Sequence, residues 1–259
     1  MSALGVRVKP LKDAVDGLFL VSLKMVHLII LAAPLGVFAL VATRIGIAGG
    51  FVAFGGELQA IGGYFITVII GLVLHAVIIL GGIAWLVTGQ HPGMMIRRLA
   101  EPLLLAFSTG SSSATLPVIM KTVEENLGVD RRVCSVVLPL GATVNMDGTA
   151  LYEAVAAVFV AQCYGIELNF STQLIIVLTV TLAAIGAAGI PQAGLVTMVM
   201  VLQTAGLPTE GIGMILAVDW FLDRCRTTIN VFGDSVGTVV VQRLLISRLP
   251  VVSEAKSGF

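Results

Sequence analysis

From Tyr64 to Val87 the sequence runs twenty-four residues without an acidic or basic side chain other than His75. A helix that long and apolar reaches across the roughly 30 Å hydrocarbon core of a bilayer. Leu18–Ala42 has the same character, with Lys24 and His27 towards one end and Pro34 as a kink, and Trp85 closes the Tyr64–Val87 span as an interfacial anchor. The whole chain is 57% hydrophobic and 12% charged over 259 residues. Soluble domains carry about twice that charged fraction, so the predicted solvent is largely lipid. Fifteen basic and fifteen acidic residues cancel, which leaves no basic face for nucleic acid. Cys134, Cys163 and Cys225 have neither disulfide nor zinc spacing and read as packing residues, and the residues after Met1 carry no cleavage-site pattern, so no signal peptide is expected.

Two further apolar stretches are interrupted. Leu99–Met120 holds the polar run Ser108–Thr115, followed by Pro117, and Leu174–Leu207 is broken from Gly186 to Gly194. Each half is roughly a dozen residues, enough to reach the midplane but not to cross. Opened backbone at that depth must be buried in protein or face a watery cavity, so paired broken segments point to a transporter binding site. Read as hairpins, they put Arg97, Arg98, Lys121, Arg131 and Arg132 on one side, against Glu167 and Glu210 on the other. The positive-inside bias then makes the first side and the carboxyl terminus cytoplasmic, in a plasma or cell inner membrane.

Val133–Ala161 and Ile212–Leu245 are long enough to span, yet both carry ionisable groups inside. Asp219, Asp223, Arg226, Asn230 and Asp234 are spaced 4, 3, 4 and 4, within roughly an 80° sector of one helix face. Thr227 lies close to this stripe, and Arg224 is expected to project towards a neighbouring element. Each charge at membrane depth costs at least about 2.5–3.5 kcal/mol. A self-neutralising ladder between helices is one explanation, but three acids face one or two bases and the excess wants cations. Asn145–Thr149 (NMDGT), preceded by Gly141 and Thr143, combines amide, carboxylate and potentially unwound carbonyl oxygens, which suit a hard cation. An ordinary helix with two polar residues facing a partner would read the same way. Glu153 follows on the same helix and, if desolvated, can carry a proton. The Ser111–Ser113 tip offers hydroxyls and free N–H groups where a half-helix begins, a place favourable to a carboxylate. A membrane hydrolase lacks its partners, since no histidine or lysine accompanies a serine in a span and His75 stands alone; no enzyme is expected.

These residues resemble a known family. The runs Ser111–Pro117 (SSSATLP), Asn145–Thr149, Gly186–Pro191 (GAAGIP) and Asp219–Asn230 (DWFLDRCRTTIN) with Gly233–Asp234 look like the four signatures of the glutamate transporter family, in its order and over about Leu18–Leu245. That family comprises sodium-coupled dicarboxylate and amino-acid symporters and includes the excitatory amino-acid transporters. The resemblance implies an all-α, multi-pass, elevator-type membrane fold with two re-entrant helical hairpins, at about 99–120 and 174–207. It implies a transport domain over 60–246, a scaffold remnant over 1–50 and a cytoplasmic tail over 247–259. Asp223 would take the substrate's amino group and Arg226 its side-chain carboxylate, with Ser111, Ser112, Thr149, Thr227 and Asn230 completing the shell. Sodium, as co-transported ion, would use Asp234 with carbonyls of Gly141, Asn145 and Asn230. Further sites would use Thr143, Ala184, Ile185 and Ala187, and Asn145 with Asp147. Asp219 receives no firm role.

Arginine at 226, where neutral exchangers of the family carry Thr or Cys, implies an acidic substrate, glutamate or aspartate. Glu153 matches the glutamate that animal members use in proton and potassium coupling, and Gly110 stands where archaeal members place an arginine. The expectation is sodium-coupled uptake of acidic amino acids by a homotrimer in a lipid bilayer. Members are longer and begin with four further helices, so trimer formation by this chain alone stays open. The alternatives are a neutral amino-acid or C4-dicarboxylate carrier on the same fold, or a truncated, non-transporting remnant that assembles with a complete homologue.

Overall fold

A computed structural model describes scattered residues up to Gly50 and then residues 51–246 apart from residue 90. Most of the expected Leu18–Ala42 span and the 247–259 tail lie outside the described residues. Met1–Gly56 and Glu57–Phe259 are separate compact units. In the first, Thr43 donates its hydroxyl to the Ala39 carbonyl at 2.8 Å, one helical turn back.

The second unit is built of helices. Helix α1 (Phe51–Leu74), a π-helical turn (His75–Leu80) and α2 (Gly81–Thr88) run on without a break. Leu58–Thr88 is 31 residues long, and only 28% of its most apolar window is buried within the protein. Tyr64, Val68 and Leu72, four residues apart, form its inner line against Tyr152, Ala156 and Phe159. Ile66, Ile70, Val73, Val77 and Trp85 point outward and are exposed, a surface that suits lipid rather than water. The π turn is closed by the Gly81 N–H, which reaches the Ala76 carbonyl five residues back. Glycine is needed there, because a Cβ would stand 3.0 Å from the Pro92 ring.

Short α3 (Pro92–Arg98) starts on Pro92 and is capped by His91, whose Nδ1 accepts from the Gly93 N–H at 3.2 Å. Helices α4 (Ala100–Thr109) and α5 (Ser112–Leu127) are the two arms of the first broken segment and pack on one another. The second arm continues past the expected Met120, because Thr122 and Val123 remain buried on its inner face. Asp130 then caps α6 (Arg131–Val144), accepting from the Arg132 N–H at 2.8 Å. The Arg132 guanidinium beside it holds the Asp130 carboxyl below the usual carboxylate range.

Val133–Ala161 is interrupted midway, where the sequence offered an unwound turn. The helix stops at Asn145–Met146 and resumes as α7 (Asp147–Cys163). Helices α8 (Phe170–Gly186) and α9 (Ala193–Thr204) form the second pair of arms, again packed together. Asn169 caps α8 through the Thr172 N–H at 2.8 Å, which starts the arm four residues before the expected Leu174. After a 3₁₀ turn (Thr209–Gly211), α10 (Ile212–Ile246) runs 35 residues unbroken.

Helix α10 touches α2, α4, α5, α6 and α7. Its Ile215 and Leu222 belong to one hydrophobic core and its Val231, Phe232 and Val236 to another, while Ile229 packs against both. The polar stripe from Asp219 to Asp234 therefore lies where the two cores meet. That position removes it from lipid, which is what its charge requires.

Candidate functional site

Asp219, Asp223, Arg226, Thr227, Asn230 and Asp234 are all buried. The 4-3-4-4 spacing thus places one face of α10 inward over four turns. Arg226 is the centre of the arrangement. Its Nε and Nη2 donate to Asp223 Oδ1 at 3.1 and 2.7 Å, and its Nη1 donates to Asp219 Oδ1 at 3.1 Å. The Tyr152 ring lies 4.1 Å beneath the guanidinium, and the Tyr152 hydroxyl donates to Asp219 Oδ1 at 2.6 Å. Asp219 therefore holds the arginine and a tyrosine together, a role the sequence left unassigned. One cation faces two carboxylates, and Asp219 Oδ2 has no hydrogen-bond partner among the described residues. Arg224 does not reach a neighbouring element as expected. It folds back on its own helix, donating to the Trp220 carbonyl at 2.8 Å with the guanidinium 4.2 Å from the Trp220 ring. The indole gives the cation an apolar bed at lower cost than an interhelical reach.

The two helix breaks meet over this stripe. Gly110 ends α4 in the left-handed region (φ +61°), and a Cβ on it would lie 3.0 Å from Asp223 Oδ2. Both facts require glycine. Ser111 caps α5, accepting from the Ala114 N–H at 3.2 Å, and donates its hydroxyl to the Gly189 carbonyl at 2.7 Å. The Ser113 N–H donates to the same carbonyl at 3.1 Å. Opposite, the Gln192 N–H donates to Asp223 Oδ2 at 3.2 Å. Gln192 itself is in the left-handed region (φ 61°), a conformation costly for a side chain other than Gly or Asn. The first break thus presents hydroxyl and N–H donors, and the second presents both a carbonyl and an N–H. Between them and α10 lies a narrow, largely closed cleft of about 10 Å³, lined among others by Ser112, Thr149, Gly194, Asp223, Arg226 and Asn230.

The break at Asn145–Met146 meets α10 from the other side. Asn230 Oδ1 accepts from the Gly148 N–H at 2.8 Å, while its Nδ2 donates to the Thr149 hydroxyl at 3.1 Å. One of the first free N–H groups of α7, that of Gly148, is thereby tied to the stripe. Asn145 Nδ2 donates to Asp234 Oδ1 at 3.0 Å. A Cβ on Gly141 would overlap that same Asp234 oxygen, so only glycine admits the carboxylate here. The carbonyl of Gly141 accepts from the Asn145 N–H at 2.9 Å, and that of Ala184 from the Ala187 N–H at 3.3 Å. Met146, Ala184 and Ala187 pack in one small buried cluster, which sets the end of α8 against the break at Asn145–Met146. Thr143 and Ile185 are exposed, and the Thr143 hydroxyl donates to the Leu140 carbonyl at 3.0 Å. Among the described residues no three His, Cys, Asp or Glu side chains converge as a metal centre would need. The donor set is one of carbonyls, amides and carboxylates, suited to a hard cation.

Glu153 is fully buried on α7. Its Oε1 accepts a hydrogen bond from the Thr197 hydroxyl of α9, and its Oε2 is unpartnered among the described residues. His75 stands alone in its own apolar span and finds its partner on α7. Its Nε2 lies 2.6 Å from Asp147 Oδ2. The pair joins residues 72 positions apart, and nothing in the local pattern of either segment announces it.

The sequence profile of the sodium:dicarboxylate symporter family matches residues 1–244. Excitatory amino acid transporter 1 of Homo sapiens is 52% identical over 234 residues, covering 90% of this chain and 43% of that protein. Excitatory amino acid transporter 4 of Mus musculus is 52% identical over 234 residues, covering 90% and 41%. The putative sodium-dependent excitatory amino acid transporter glt-4 of Caenorhabditis elegans is 48% identical over 241 residues, covering 93% and 48%. The chain thus spans less than half the length of the curated relatives it matches. With four breaks and stripes in the arrangement described and a profile match over nearly its whole length, the chain belongs to the sodium:dicarboxylate symporter family and is an all-α membrane protein.

Proposed function

We propose that this chain carries the substrate site of a sodium-coupled symporter of acidic amino acids, and that it is a transporter rather than an enzyme. The observation that carries the reading is the buried Asp223–Arg226 pair at 2.7 and 3.1 Å, held inside the pocket. An acidic amino acid bears one cation and a side-chain carboxylate, the two halves of that pair. Its ammonium can replace the guanidinium on Asp223, and its side-chain carboxylate can replace Asp223 on Arg226. The exchange leaves neither charge bare, whereas a buried charge stripped of its partner costs about 3–5 kcal/mol. A C4-dicarboxylate would leave Asp223 uncompensated, and a neutral amino acid would leave Arg226 short of a carboxylate.

The substrate's second carboxylate is matched by the donors at Ser111–Ser113, which now serve the Gly189 carbonyl. Lifting the second break would release those donors, so the Ala187–Gln192 segment acts as the gate. Sodium bound near Asp234, Asn145 and the ends of α6 and α8 offsets the excess acid and couples binding to the ion gradient. Glu153, buried beside Thr197, carries a proton in the same cycle. The helix arms return to the side they entered from, the molecule crosses the bilayer several times with its carboxyl terminus in the cytoplasm, and the Glu57–Ile246 unit moves as an elevator. The family resemblance supports assembly of the full protein as a homotrimer. Proteoliposomes containing the full protein are expected to accumulate labelled aspartate only under an inward sodium gradient; accumulation without sodium would contradict the coupling. Glu153→Gln should remove the pH dependence of net uptake and spare exchange, and an unchanged pH profile would take the proton from Glu153.

A further inference from the structure

We propose that His75 is a positioning residue for the cation site: it fixes the Asp147 carboxylate in the orientation that serves a sodium ion beside Asn145 and Asp234. The inference rests on the reading of Asp147 as a sodium donor and adds the lipid-facing helix to that site.

His75 stands on the lipid-facing helix, where its polar ring would otherwise be stranded against apolar surroundings. Its Nε2 meets Asp147 Oδ2 at 2.6 Å, and because an ionised carboxylate only accepts, the imidazole donates. The other carboxylate oxygen, Asp147 Oδ1, accepts from the Gly148 N–H at 3.0 Å. Both oxygens are thus oriented, one by the start of α7 and one by a separate element.

The cluster being oriented is compact. A Cβ on Gly233 would stand 2.9 Å from Asp147 Oδ2 and 3.0 Å from Asn145 Nδ2, so both side chains lie over the backbone of Gly233. The next residue is Asp234, which Asn145 already holds at 3.0 Å. His75 therefore grips the outer edge of a group of three side chains, Asn145, Asp147 and Asp234, gathered at Gly233–Asp234 of α10. It also sits at the first residue of the π turn, the one irregular turn in an otherwise regular spanning helix. Such single-turn insertions rotate the residues beyond them and recur where a side chain must be aimed. Partners that hydrogen-bond a ligating carboxylate fix its geometry, and losing one weakens ion affinity by about 10–100-fold.

A purely structural contact would also satisfy the ring, so the test separates ion affinity from stability. The full protein in detergent is titrated with sodium chloride against choline chloride at constant ionic strength, and thermal unfolding is followed. His75→Ala is expected to raise the half-saturating sodium concentration by about 10-fold or more. His75→Gln, whose amide nitrogen reaches the place of Nε2, is expected to stay within about threefold of the parent. His75→Asn, too short to reach, should behave as the alanine variant, which keeps the test in force if that variant does not fold. An unmoved sodium midpoint in His75→Ala, or equal midpoints for Gln and Asn, with Asp147→Asn strongly shifted, overturns the positioning role and leaves the Asp147 reading intact. An unmoved midpoint in Asp147→Asn overturns the Asp147 reading, and this inference with it.

Discussion

The Leu58–Thr88 helix and α10 are of similar length, 31 and 35 residues, yet they solve opposite problems. The first has almost nothing to hide and buries only 28% of its most apolar window. Its outward side chains are Ile, Val, Leu and Trp, and among its few polar groups Thr67 donates to the Gly63 carbonyl at 2.8 Å and His75 meets Asp147, while the Tyr64 hydroxyl is buried without a hydrogen-bond partner among the described residues. Helix α10 carries the charge and turns it inward, where every one of Asp219, Asp223, Arg226, Asn230 and Asp234 has a partner from its own helix or a neighbouring element. In lipid the apolar helix is the skin, and the charged helix is the core. That inversion of the usual soluble arrangement follows from the cost of charge at membrane depth. It also concentrates the chemistry on the most surrounded element of the unit.

The contrast predicts where substitutions hurt. Arg226→Ala leaves Asp219 and Asp223 buried without a counter-charge, and the expected loss is about 3–5 kcal/mol in thermal or denaturant unfolding, with no measurable uptake of aspartate. Gly141→Ala drives a methyl group into the Asp234 carboxylate; the expected cost is about 1–3 kcal/mol, together with a raised sodium requirement. Tyr152→Phe withdraws the hydroxyl from Asp219 Oδ1 while keeping the ring under Arg226. A loss of about 1–2 kcal/mol is expected, read by thermal unfolding in detergent. At the bottom of the scale, Ile70→Ala on the outer face of α1 should change stability by about 0.5 kcal/mol or less. If Ile70→Ala proved as damaging as Gly141→Ala, the outer face would be an interface and not a lipid surface.

The sequence alone already located the α10 stripe, because burying several charges at 3- and 4-residue intervals leaves only one helix face to put them on. The interruption at Asn145–Asp147 and the glycine-rich break before Gln192 were legible for a related reason: glycine and unpaired amides cannot continue a helix in lipid without a purpose. What stayed hidden depended on packing between distant segments. The pairing of His75 with Asp147 needs the register of α1 against α7, and the π turn that sets that register has no composition signal. Asp219 had no assignment because its partner Tyr152 looks apolar in a hydropathy pattern and reveals its hydroxyl only in three dimensions. Arg224 was misplaced for the complementary reason, since a tryptophan one turn back offered a nearer rest than any other helix.

Asp223 and Arg226 were read from the sequence as two separate ligand groups, whereas in the folded protein they hold each other. The central claim is that an acidic amino acid exchanges into that pair, and competition for uptake by the full protein tests it most directly. In the parent protein, unlabelled aspartate should compete with labelled aspartate far better than serine or alanine does. In Arg226→Cys the order is expected to reverse, with Asp223 still taking the amino group and no cation left for the side-chain carboxylate. Aspartate selectivity unchanged in Arg226→Cys would contradict the exchange and remove Arg226 from the substrate site.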